Sequence, residues 1–221
     1  MSTTAPQLTT SLSQHFVLRL AIATAMTAFS GGTTTACMFI AMGENDGNPV
    51  RSAFGVVPAL LVLVTVLWWL VAAHSRQLRT PSNRQFAMVA LAGAAVALIS
   101  QVWSELRLAE GGFTMHNIGI LMLLMIIGSF LALVPAAICL VVLAGAVLGM
   151  RSAGRRIGTR NVQVLATLLA MVVTAGYTLL LVRALPGYSP NELLLITGLS
   201  TLLAGACAAI AVRWSLSYRR V

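Results

Sequence analysis

Six long apolar runs constrain this chain more than any other feature: residues 16–42, 54–73, 86–106, 118–150, 162–182 and 193–212. Each reaches the roughly 20 residues that a helix needs to cross a hydrocarbon layer about 30 Å thick. In hydrocarbon every backbone N–H and C=O must be bonded within its own segment. Runs this long are about twice the length of a tilted barrel strand, so helices are the consistent solution. Six such spans in 221 residues leave no room for a soluble domain. The expected fold is therefore all-α, a polytopic integral membrane protein of six transmembrane helices. Charged residues make up only 9% of the chain, against about a quarter in an average soluble domain. The lipid bilayer is thus the first partner expected.

The net charge of +9 would suit nucleic acid if it lay on one face, but the arginines fall in alternate loops, and no nucleic acid partner is expected. One set of segments holds Arg19, Arg76, Arg79, Arg84, Arg151, Arg155, Arg156, Arg160, Arg213, Arg219 and Arg220 with no acid. The other holds Arg51, Arg107 and Arg183 with all five acids: Glu44, Asp46, Glu105, Glu110 and Glu192. Basic loops stay cytoplasmic, so both termini are expected inside. The same rule decides the fourth run, 118–150, which contains Pro135 and is long enough to cross twice. Two crossings would export the arginine-rich segment 151–160 and the tail, so it reads as one long helix that must tilt, kink or protrude. Trp68, Trp69, Trp214 and Tyr218 inside, with Trp103 and Tyr188 outside, fall where aromatic belts belong. The absence of lysine reads as a codon bias of a GC-rich bacterium, which places the chain in a bacterial cytoplasmic (inner) membrane.

Residues 1–14, rich in Ser, Thr and Gln, read as a disordered cytoplasmic lead-in. Residues 15–214 form the transmembrane domain, and 215–221 a cytoplasmic tail. The loops are short and carry turn formers. No repeat relates spans one to three to spans four to six, which weakens a comparison with inverted-repeat transporters. Cys37, Cys139 and Cys207 all lie within spans and read as buried small residues. His15, His74 and His116 lie near the surfaces and do not form the pair that a transmembrane haem needs. "IGSF" around Ser129 is not an intramembrane serine protease motif, and no histidine at membrane depth could activate that serine. No cofactor, metal or catalytic residue is expected.

The first span is interrupted by "SGGTTTAC", Ser30 to Cys37. Ala28, Gly32 and Ala36 share one helix face and read as a close-packing seam, with a similar reading for Gly145 and Gly149 and for Gly205. That does not explain Thr33, Thr34 and Thr35, which point in three directions. Counted by membrane half, polar residues crowd the outer side: Ser30, Thr33, Thr34 and Thr35; Ser100, Gln101, Ser104 and Glu105; Thr174, Tyr177 and Thr178; and Thr197, Ser200 and Thr201. An unpartnered hydroxyl or amide in hydrocarbon costs about 2 kcal/mol or more, so these groups should converge on one another or on water. The expectation is a polar pocket opening to the extracytoplasmic side, walled by spans one, three, five and six. Glu105, at the outer boundary, should pair with a cation; Arg183 is the candidate, with His116 and Arg107 also in reach.

Three function classes fit. The first is a transport or permease-like protein, or a membrane subunit of a transport complex, handling a small solute at the outer pocket. The second is a non-catalytic membrane partner, such as an assembly, sensory or immunity protein, that binds other subunits or a second copy through helix faces. The third is a membrane enzyme acting on lipid. Spans without a midplane carboxylate disfavour ion coupling.

Overall fold

The computed structural model describes residues 5–43, 53, 56–67, 91–100, 102–103, 115–152, 159–184 and 188–216. Its elements are α1 (Ala5–Gly43), α2 (Val56–Leu67), α3 (Leu91–Ser100), α4 (Met115–Ser152), α5 (Thr159–Ala184) and α6 (Pro190–Leu216). Among the described residues there is no strand. Segments Phe16–Ile40, Ile126–Met150, Arg160–Leu181 and Pro190–Ser215 are each long and apolar enough to cross a membrane. The helices α2 and α3 are shorter, and apart from residues 102–103 the rest of the second and third expected spans lies outside the described residues.

The fourth run is a single helix of 38 residues with Pro135 inside it, about 57 Å long at 1.5 Å per residue. Proline lacks the N–H that would bond the Leu131 carbonyl one turn back, and its ring crowds that carbonyl, so α4 is weakened there without ending. Helix α1 begins at Ala5 and runs 39 residues. It takes in ten of the residues expected to be structureless. Pro6 falls in its first turn, where a missing N–H is harmless, and extending a formed helix costs far less than nucleating one.

Four helices form a closed ring in the order α1, α4, α5, α6, with α6 returning to α1; α5 meets α6 and α1 meets α4 most extensively. Neighbours run antiparallel. Phe16 and Leu20 of α1 share a buried cluster with Leu143 and Val147 of α4, Val162 and Ala166 of α5, and Val212 of α6. At the far end Thr35 meets Ser200, and Phe39 meets Tyr188. Arg19, Arg160 and Arg213 therefore belong to one end of the bundle, and Arg183 and Glu192 to the other. Helix α2 packs where α1 and α6 meet, with Ala59, Leu63 and Val66 against Ala23, Met38, Ile196 and Leu203. Helix α3 lies on α1, its Gly93 so close that a Cβ there would run into Ser30 Oγ.

The exterior is apolar. Val141, Val172 and Leu194 are 70%, 71% and 78% exposed, and large aliphatic residues continue along the outer faces of all six helices. A water-soluble surface does not carry an apolar area of that extent; hydrocarbon is its natural surrounding.

Candidate functional site

The hydroxyl-rich stretch of α1 is explained by its central place in the fold. Gly32 and Ala36 meet Gly128 and Ala132 of α4. A Cβ on Gly32 would lie 2.6 Å from Ala132 Cβ and 2.9 Å from Ser129 Cα, and a Cβ on Gly128 would collide with Ala36 Cβ. Two small-xxx-small faces thus cross at backbone contact. Beside this seam Thr33 Oγ1 and Ser129 Oγ share a hydrogen bond of 2.9 Å. Thr34, fully buried, donates to the Ser30 carbonyl at 2.8 Å. Thr35 turns toward α6, where it shares a 3.3 Å hydrogen bond with Ser200, and Cys37 donates to the Ala97 carbonyl of α3 at 3.1 Å. The three threonines point three ways because α1 has neighbours on more than one side.

Inside the ring lies a cavity of about 170 Å³. It follows α1 from Leu20 to Phe39, about 28 Å of helix axis. Glycine and alanine make the space, with Ala28, Gly31, Ala132, Ala136, Ala170, Ala204 and Ala208 among those facing it. Its middle is apolar. Thr24 and Thr27 line it toward the arginine end, where Thr27 is satisfied by the Ala23 carbonyl at 2.8 Å. Thr35, Thr174, Tyr177, Thr178 and Ser200 gather at the other end. Among the described residues, no Asp, Glu, Arg or His lines the cavity. An ion placed there would lose its hydration without a countercharge, so the lining suits an uncharged hydrogen-bonding group. Pro135 and Leu131 also line it.

Of the residues expected at a polar pocket, Thr35, Thr174, Tyr177, Thr178 and Ser200 face this cavity. Thr33 and Thr34 are spent on helix contacts, and Ser30 faces Gly93 of α3. Thr197 and Thr201 have buried hydroxyls without a hydrogen-bond partner among the described residues and do not line the cavity. Ser100 is partly buried on α3. Gln101, Ser104 and Glu105 lie outside the described residues, and with them the expected pairing of Glu105; Arg183 is exposed in the last turn of α5. Among the described residues the fourth wall is α4, not span three, because α3 packs on a different face of α1. Gly205 approaches α5, where a Cβ would lie 2.8 Å from Met171 Cγ. At Gly145 and Gly149 a Cβ would meet open space among the described residues. Gly128, the partner of Gly32 and Ala36, is the packing residue that the sequence reading missed.

Each end of the bundle has its own aromatic contact. At the arginine end the Arg19 guanidinium lies over the Trp214 ring, 4.2 Å from its centroid, a cation–π contact. At the hydroxyl end Tyr188 donates to the Phe39 carbonyl at 3.1 Å, and their rings meet edge to face at 5.7 Å. Burial, and after it the Glu192 carboxylate, push the Tyr188 phenol above its usual value. Ser189 caps α6: its N–H donates to Glu192 Oε2 at 2.8 Å, and the Glu192 N–H donates to Ser189 Oγ at 3.4 Å, with Pro190 at the first helical position.

No protein-family model matches this chain, and no curated protein or solved structure is significantly similar to it.

Proposed function

We propose that this chain is a six-span protein of a bacterial cytoplasmic membrane, with both termini in the cytoplasm, that acts as a permease-like protein or as the membrane subunit of a transport complex. It handles a small uncharged solute from the extracytoplasmic side. The observation that supports this most is the cavity inside the ring, whose hydroxyls gather at the end opposite the arginines. If the arginines mark the cytoplasm, the polar end faces outward. A lining without Asp, Glu, Arg or His among the described residues fits a neutral solute and disfavours coupling to protons or sodium. To test the reading, Thr178→Cys and Ser200→Cys are made in a chain whose three native cysteines are serine, and an impermeant aqueous thiol reagent is added to right-side-out vesicles. Both should react. Protection of both, with Glu192→Cys labelled as the accessible control, would remove the outward-facing pocket.

A second reading, a non-catalytic partner of another membrane protein, has one observation in its favour. Gly145 and Gly149 lie a turn apart on an exposed strip of α4, where a second helix could approach closely. Purification in native lipid with a stable companion chain, lost on Gly149→Leu, would favour it.

A further inference from the structure

The cavity has a shape and a polarity gradient that a small hydrophilic solute does not need. It is long and apolar, and most of its polar groups stand at one end. Around the ring, α4 and α5 make the least extensive contact. Their shared buried residues, Leu143 and Val147 with Val162 and Ala166, lie at the arginine end. Beyond that cluster both helices line the cavity, from Gly128 to Leu140 on α4 and from Ala170 to Leu181 on α5. Leu131 lines the cavity, while Phe130 and Val134 beside it on α4 do not and are 66% and 48% exposed, so this wall borders both the interior and the lipid. Pro135, one turn further, weakens α4 where it would have to move aside.

Resting on the outward-facing reading of the same site, we infer that the cavity is a slot for a single-chain amphiphile with an uncharged head, reached sideways from the lipid between α4 and α5. The chain lies along the glycine- and alanine-paved interior between Ala136 and Ala204. The head sits among Thr35, Thr174, Tyr177, Thr178 and Ser200, whose hydroxyls both donate and accept. Hydroxyl, ester or amide groups satisfy that cluster. A phosphate or carboxylate head does not, because among the described residues no cation lines the cavity to meet it.

The test uses the full chain in phosphatidylcholine nanodiscs and a 16-carbon monoacylglycerol carrying a photoactivatable diazirine in its chain. Label should map to cavity-facing residues such as Leu140 and Cys207. Excess unlabelled monoacylglycerol should compete for it, whereas the corresponding fatty acid should not. Ala204→Phe should lower cavity labelling by at least about ten-fold, and Ala136→Leu serves if that variant does not fold. Label spread evenly over lipid-facing Val141 and Val172, unaffected by competitor and by both variants, would overturn the inference. If that happens while Thr178→Cys is modified from the aqueous side, the outward pocket stands and only its amphiphile is lost. If Thr178→Cys is protected as well, both proposals fall.

Discussion

Gly32 and Gly128 contribute to the fold by what they lack, because the α1–α4 crossing has no volume for a side chain at either position. Gly32→Val should cost about 1–3 kcal/mol or more through forced separation of the helices. Gly145→Leu, placed in open space, should stay within about 0.5 kcal/mol. Thermal unfolding of the two variants in the same detergent makes that comparison, and equal effects would remove the seam. A double-mutant cycle of Thr33→Val with Ser129→Ala should return a coupling of about 0.6 kcal/mol, the usual scale for a hydrogen bond between membrane helices. The small-residue face of α1 was legible from its spacing of four, and so was the fact that one packing face could not use all three threonines. Their partners were not legible. A helix period gives the direction of a side chain but not which helix stands there, and "IGSF" was weighed only as a possible catalytic motif.

Among the helices, α6 has the most explicit start signal. Ser189→Ala removes one arm of its reciprocal cap and should cost about 1 kcal/mol. Just before it, the raised Tyr188 phenol ties the same helix end to Phe39. Because folding favours the neutral phenol, this contribution is complete below pH about 10, the ordinary tyrosine value, and is lost as pH rises through the higher folded value. Stability measured from pH 9 to 12 should fall more steeply for the native chain than for Tyr188→Phe; parallel curves would contradict the assignment. The sequence "SPNE" carries the cap openly, though attention to span boundaries passed over it. The unity of α4 was readable from charge alone, since two crossings would have exported a block of arginines. The start of α1 was not, because residues 5–14 have no periodicity, and their helix continues an element fixed further along the chain.

For the molecule as a whole, orientation and interior make separate predictions. Reporter fusions after Arg155 should be active only in the cytoplasm; an exterior reporter would invert the assignment of the two ends. Filling the ring with Ala208→Leu should stabilise the protein by about 0.5–2 kcal/mol, the usual gain for a filled cavity, and should at the same time block chain labelling. A gain in stability with labelling unchanged would mean that the probe binds elsewhere. The crowding of hydroxyls at one end of the spans was visible in the sequence, and five of the residues it singled out do line the cavity. The wall supplied by α4 was not visible, because counting polar groups overlooks a helix that lines the cavity with glycine, alanine, leucine, a cysteine and a proline.

The central position of α1 also bears on how the chain is made. This helix has the lowest mean hydropathy of the four long spans, 1.3 against 2.1 to 2.8, and it leaves the ribosome before any helix that will later surround it. Thr27, Thr33 and Thr34 each donate to a carbonyl four residues earlier in α1 itself. During insertion these hydroxyls are therefore already satisfied, and the least oily segment can wait in lipid until α4 and α6 arrive.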